Sequence, residues 1–427
     1  MKKVIILCVL SLMVFLYVIL SDGTSGNLKA ENTKSFGELE RLKNALSNPL
    51  EQYVSIVFIG DSITWGMSAA GNPVNFKMGR DGTLSDIRDN FESLSFVNQF
   101  KRYIGSEYMA GAPPLLSNWD ASPNGESIAV YKKEILLFPE GENFEIVTEG
   151  NVRPHEVVES KDSISNKFLC FQIDSSANGT GIIRFNFTGK EFTLSYGSTA
   201  SSMDYELLVN GMSQGIFSTM VGFDGNLAGF DNHRTHTFDY VEDALIEIKT
   251  VKNNFEGPQA LKIGGVLIDK TVKISNQGII GATARSYLKR NLEGNTSGDG
   301  IAITDEDRYI FIQLGTNDRR EKDSLIFKGN LQKLINKVKP NRALILMCAN
   351  PVVNENPENY HFNMEEVCNV INQTAEENQI DFINNYAIFK DLKSSNYLAD
   401  SLHPNDYGHE QIYRNIVHSL EQRQGAW

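Results

Sequence analysis

Residues 57–66 read Val-Phe-Ile-Gly-Asp-Ser-Ile-Thr-Trp-Gly, an apolar strand that runs directly into Gly60-Asp61-Ser62. In an open α/β sheet, ligands bind at the carboxyl ends of the strands. A glycine at the bend and the free amides of a helix start leave the Ser62 hydroxyl pointing outward among N–H donors. Gly, Asp and Ser are also ordinary turn residues. Ser62 becomes a nucleophile only if the chain supplies a base, an orienting carboxylate and an oxyanion site.

Working outward, four segments have the continuous apolar character of strands buried on both faces: 55–59, 308–314, 343–349 and 380–383. Apolar residues at helical spacing fill 325–338 and 364–375, between the last three. Strand and helix in alternation predict βαβ units and a parallel sheet. Residues 405–420 predict a closing helix capped by Asn405 or Asp406. From about 125 to 270 the pattern changes to short alternating runs, such as 168–173, 181–187, 191–196, 205–210, 244–249 and 261–268. Turn signals such as Asn210-Gly211 and Asp224-Gly225 separate them. That spacing predicts an antiparallel β-sandwich placed in a loop of the α/β domain. No internal repeat is evident.

The 427 residues suffice for two cores. A formal charge of −13 and the absence of a basic tract of five or more residues argue against nucleic acid, whose phosphates require clustered Lys and Arg. Lys2-Lys3 followed by the apolar run 4–20 marks export. The run is long for a cleaved signal and short for a spanning helix, so both a signal peptide and an N-terminal membrane anchor stay open for 1–21. Either places the body outside the cytoplasm, secreted, wall-associated or anchored. Cys170, Cys348 and Cys368 are too widely spaced for a disulfide framework or metal site, and the last two suit an apolar core.

Three further stretches carry chemistry. In Asp400-Ser401-Leu402-His403-Pro404, a carboxylate three residues before a histidine can reach its Nδ1 and hold the tautomer that lets Nε2 accept a serine proton. Alone, this stretch reads equally as a helix-entry loop. His409, with no such carboxylate, reads as a helix-surface residue. The strand 309–314 ends in Gly315-Thr316-Asn317-Asp318, where the Asn317 amide can donate to an oxyanion without titrating, or simply form a turn. In Asn276-Gln277-Gly278-Ile279-Ile280-Gly281, Gly281 can lend a backbone N–H close to a substrate.

Together, Gly60-Asp61-Ser62-Ile63-Thr64, the 276–281 glycine block, Gly315-Thr316-Asn317-Asp318 and Asp400-Ser401-Leu402-His403 resemble the four blocks of the SGNH, or GDSL-type, hydrolases. The resemblance implies an SGNH-type, flavodoxin-like three-layer α/β/α parallel sheet. It implies a triad of Ser62, His403 and Asp400, with an oxyanion hole from Ser62, Gly281 and Asn317. About 220 residues separate Ser62 from Gly281, far more than a minimal member needs, and the β insert accounts for the excess. Peptidoglycan O-acetylesterases share a similar plan, in which a β-sandwich interrupts the hydrolase domain. The expected layout is a signal or anchor at 1–21, a polar linker and leading helix at 22–49, hydrolase parts at 50–115 and 271–425, and the insert at 125–270. The expected activity is a metal-free, cofactor-free serine esterase that removes O-acetyl groups from an extracellular polysaccharide or peptidoglycan. A lipase or general acylester hydrolase and an O-acetyltransferase with the same triad are the alternatives. A glycan-binding wall protein would leave the four blocks idle. The aromatics Tyr196, Tyr205, Phe223 and Phe230 stack on sugars in one reading and fill a sandwich core in the other.

Overall fold

A computed structural model describes residues 35–70, 87–117, 126–153, 155–289, 303–353, 355, 358 and 360–422. The expected export segment 1–21 lies outside the described residues. Among the described residues no helix is long and apolar enough to cross a membrane.

The chain begins with helix α1 (Glu38–Ser47), which buries Leu39, Leu42, Ala45 and Leu46 on one stripe. Both of its ends are held by charges that match its dipole. Asp381 accepts the Leu39 amide at 2.6 Å. The buried Lys270 ammonium donates to the carbonyls of Ala45, Leu46 and Asn48 at 2.9, 2.8 and 2.6 Å. Strand β1 (Tyr53–Gly60) follows and leads into the one-turn α2 (Ser62–Trp65) and then α3 (Phe96–Glu107).

The middle of the chain is antiparallel. It contains β2 (Leu115–Ser117), β3 (Ser127–Leu137), β4 (Glu145–Gly150), β5 (Glu156–Glu159) and β6 (Lys167–Ile173). The long β7 (Gly179–Ser198) and β10 (Gly229–Val251) bracket β8 (Asp204–Val209) and β9 (Met212–Ser218), and β11 (Gln259–Asn276) closes the region. The remainder alternates as expected: α4 (Ala284–Leu288), β12 (Tyr309–Gln313), α5 (Ser324–Val338), β13 (Ala343–Cys348), α6 (Met364–Asn378), β14 (Asp381–Asn384), α7 (Ser394–Tyr397) and α8 (Asp406–Glu421). Asn405 caps α8, accepting the Gly408 amide at 3.0 Å.

The parallel order is β14-β13-β12-β1-β11. β12 and β13 are buried along their whole length, which requires cover on both faces. Helices α1, α3 and α7 pack on α8, and α4 and α6 pack on α5, which supplies the two covering layers. Phe58 stacks on Phe311 with centroids 4.7 Å apart in this core. Burying each such ring contributes about 1.5–3 kcal/mol.

β11 differs from expectation. It is one uninterrupted strand whose first half pairs antiparallel with β6 and β7, while Thr271–Asn276 pairs parallel with β1. The fifth parallel strand is therefore the tail of a strand that begins in the antiparallel region, and one hydrogen-bonded network of fourteen strands joins the two parts. The antiparallel part has its own apolar cluster, including Leu169, Phe171, Phe185, Phe192, Tyr205 and Ile263. Tyr196 and Tyr205 lie in that cluster. Phe230 stacks on Phe168 with centroids 4.7 Å apart, and Phe223 is exposed.

Candidate active site

β1 delivers Ser62 to the carboxyl edge of the parallel sheet. A Cβ at Gly60 would sit 2.7 Å from the Gln313 carbonyl oxygen and 2.0 Å from Thr64 Oγ1, so the close approach of β1 to β12 requires glycine there. Asp61 N-caps the turn, its Oδ1 accepting the Ile63 amide at 2.9 Å. Thr64 Oγ1 donates to Gln313 Oε1 at 2.8 Å, locking the turn to β12. The Tyr287 hydroxyl donates to the Gly60 carbonyl at 2.7 Å from α4.

Ser62 Oγ lies 2.9 Å from His403 Nε2, and His403 Nδ1 lies 2.8 Å from Asp400 Oδ2. With Asp400 ionised, Nδ1–H donates to the carboxylate, which leaves Nε2 as the acceptor for the serine hydroxyl. The loop is wound around the same carboxylate: Asp400 Oδ1 accepts the amides of Leu402 and His403, both at 2.7 Å. Burial pushes the Asp400 pKa up. The hydrogen bonds from the His403 ring and from the His403 and Leu402 amides outweigh that and hold it below the ordinary carboxylate value. The segment after β13 braces this loop. Val353 N–H donates to the Ser401 carbonyl at 2.9 Å, and Asn350 Nδ2 to the Leu402 carbonyl at 3.2 Å.

The other two blocks join the same edge. Ile279 N–H donates to the Gly60 carbonyl at 2.9 Å and Asn276 Nδ2 to the Thr64 carbonyl at 2.9 Å, which fixes the glycine block beside the Ser62 turn. Gly281 has a φ of +73°, the left-handed region that favours glycine. The amides of Ser62 and Gly281 have no hydrogen-bond partner among the described residues. Asn317 is 7 % exposed, and its Nδ2 donates one hydrogen to the Ala282 carbonyl at 3.1 Å, leaving its second N–H available. All five residues singled out in the sequence thus belong to one hydrogen-bonded cluster of blocks. No group of three or more His, Cys, Asp or Glu able to hold a metal ion occurs among the described residues.

His409 is a correction. It is fully buried, not on the helix surface: its Nε2 bonds to the Met67 carbonyl at 3.1 Å and its ring stacks on Phe96. Burial lowers its pKa to about 4. The neutral ring ties α8 to the segment that follows Ser62, and Asp406 does the same by accepting the Ala70 amide at 2.6 Å. Cys348 and Cys368 are both buried, as expected, and both thiols donate to Asn384 Oδ1 at 3.2 Å.

Sequence reasoning passed over Asp318. Its two oxygens accept the Ala284 amide at 3.0 Å and the Gly315 amide at 3.1 Å, joining the third block to the second. It ends the Gly315-Thr316-Asn317-Asp318 turn, but nothing in its neighbours marks it as the joint. Burial raises Asp318 to about 7, with the charge of Asp61 adding to the effect, and burial raises Asp61 to about 6. A carboxyl whose folded pKa exceeds its unfolded value, near ~4, stabilises the fold fully below that value and loses the contribution as pH rises through the folded pKa. The contribution of these two carboxyls is therefore expected to fall away between about pH 4 and about pH 7. Asp61→Asn, which keeps an N-cap acceptor, flattens the loss. Thermal melts of both proteins across this range check it; parallel stability curves would sink the assignment.

Residues 260–411 match the sequence model of the GDSL-like lipase/acylhydrolase family. The match takes in Gly281, Asn317, Asp400 and His403 and begins after Ser62. No curated protein matches the chain. A solved structure described as a peptidoglycan O-acetylesterase in action is 13 % identical, aligns over 91 % of this chain and 98 % of its own, and gives a TM-score of 0.39. An acetylxylan esterase from Geobacillus stearothermophilus is 22 % identical, aligns over 36 % of this chain and 74 % of its own, and gives 0.29.

Proposed function

We propose, from the premise that this chain carries a GDSL-like lipase/acylhydrolase domain and is a carboxylic ester hydrolase, that it is a serine esterase acting on O-acetyl groups of an extracellular polysaccharide or peptidoglycan. One observation carries the mechanism: the continuous hydrogen-bonded relay from Ser62 through His403 to Asp400, at 2.9 and 2.8 Å. His403 Nε2 takes the Oγ proton as Ser62 attacks the acetyl carbonyl, and Asp400 stabilises the imidazolium. The amides of Ser62 and Gly281 and the Asn317 side chain receive the oxyanion. A donor of this kind typically supplies about 2.7–4 kcal/mol of transition-state stabilisation. Collapse of the tetrahedral species passes the proton from His403 to the leaving sugar oxygen. Water, activated by the same histidine, then releases acetate.

The substrate reading rests on two features. The charged and apolar residues 2–20 support export, and with it a polymer outside the cytoplasm. The long antiparallel region supports an inserted β-sandwich. Its β7 pairs with β4 over Gly179–Arg184 and with β11 over Thr193–Gly197, and a single apolar cluster lies among these strands. An insert of that size on one loop of the hydrolase domain suits a polymeric substrate better than a small ester.

Hydrolysis of acetyl and octanoyl esters and acetate release from acetylated cell-wall glycan or xylan test the reading. Preferential turnover of acetyl esters with acetate release from a glycan is the expected result. Turnover of octanoyl esters alone overturns it.

A further inference from the structure

At the edge of the parallel sheet opposite Ser62, a cavity of about 490 Å³ is lined by Arg41, Arg308, Lys339 and Arg342, with Tyr240 and Glu242 on its wall. Arg308 and Arg342 immediately precede β12 and β13, while Ser62 follows the carboxyl end of β1. The length of β12, roughly 16 Å at about 3.3 Å per residue, separates the two edges. Four cations face one lining carboxylate, in a chain whose net charge is −13.

These cations are held mostly by neutral groups, so their charge is left for the cavity. Arg342 donates to the carbonyls of Asp307, Val338, Pro340 and Thr304 at 3.1–3.2 Å. Its nearest carboxylate oxygen belongs to the exposed Asp305, 3.7 Å away. Lys339 Nζ donates to the Asn378 carbonyl at 2.8 Å. Arg308 donates to the Asn341 carbonyl at 3.2 Å, and its guanidinium stacks over Tyr240 at 4.7 Å, which fixes the plane of the fork. Arg308 Nε is shielded from solvent and has no hydrogen-bond partner among the described residues. Arg41 pairs with Glu38 at 3.0 Å. The half-exposed Glu242 carboxylate lies between Arg41 and Arg308, 3.8 and 3.7 Å from them, too long for tight charge-assisted bonds. It occupies the position a stronger anion would take.

We propose that this cavity is a binding site for a compact, multiply charged oxyanion bearing phosphate or carboxylate groups. The anion displaces the Glu242 side chain and bridges Arg41, Arg308 and Lys339. The site is separate from the esterase site and does not depend on that reading.

Calorimetric titration of the full chain with pyrophosphate and with citrate, at low and high salt, tests it. Binding that weakens with salt is expected, and the tighter of the two probes identifies phosphate or carboxylate as the preferred group. Arg308→Gln and Lys339→Gln should each weaken binding by about tenfold. Glu242→Gln should tighten it several-fold, an outcome a purely structural role for these residues would not produce. Hydrolysis of an acetyl ester stays at the wild-type rate in all three variants. No binding of either probe at millimolar concentration, or equal affinity in wild type and the charge variants, overturns the proposal.

Discussion

Ser62→Ala is expected to lower kcat for an acetyl ester by on the order of 10⁶, the scale seen when a serine nucleophile is removed from an intact relay. Ser62 is 3 % exposed, and among the described residues its hydroxyl bonds to His403 Nε2. The turn that carries it is built by others: the Asp61 cap, the Tyr287 bond to the Gly60 carbonyl and the Thr64–Gln313 pair. Removing one oxygen should therefore leave the melting temperature within a few degrees, on the scale of about 1 kcal/mol or less. Kinetics and a thermal melt on the same preparation separate loss of chemistry from loss of fold. A variant that retains more than a few per cent of activity would show that another group attacks the ester.

Asp400→Asn is the second large effect, about 10⁴ in kcat. The carboxylate does two separable jobs here. Its Oδ1 holds the Leu402 and His403 amides, and an asparagine oxygen can still accept both. Its Oδ2 accepts the His403 Nδ1 proton, and an amide NH₂ cannot. The variant keeps the loop and reverses the tautomer, so that Nε2 carries the hydrogen and cannot take the serine proton. Because the Asp400 pKa is held below its ordinary value in the fold, the carboxylate's contribution to loop order is present above the usual carboxylate range. It disappears only as pH falls through the lowered value. Asp400→Ala should therefore lose both jobs and also loosen the loop, measurable as faster amide exchange at Leu402 and His403. A loss of less than tenfold in Asp400→Asn would mean that His403 is oriented by something else.

The legible parts of this chain were those where chemistry and local structure coincide. Four of the parallel strands announced themselves as apolar runs because both of their faces are buried, α5 and α6 did so through helical spacing, and α8 through its cap at Asn405. The fifth parallel strand was hidden, because Thr271–Asn276 alternates polar and apolar residues and continues a strand that begins among antiparallel partners. His409 was misjudged for a related reason. Its neighbours Asp406, Tyr407 and Glu410 are polar, and it is buried with contacts to Phe96 and Met67, more than 300 positions away. Asp318 and Tyr287 hold the site together through backbone atoms of remote segments, and such bonds leave no mark in local composition.

By itself the sequence determined the kind of chemistry. A serine after a buried strand, an Asp-x-x-His loop, and an Asn and a Gly at further turns are each side chains or backbone freedoms that a reaction requires, and residue type states them directly. Tertiary structure decided whether those groups meet: 341 positions separate Ser62 from His403, and closing that gap depends on the register of β1 against β11 and β12 and on the seating of α8 against the Ser62 turn. It also decided that Arg41, Arg308, Lys339 and Arg342, dispersed along an acidic chain, face a single cavity at the other edge of the sheet. Pairing register and burial are long-range properties, set by which surfaces exclude water together, and no window of sequence contains both partners.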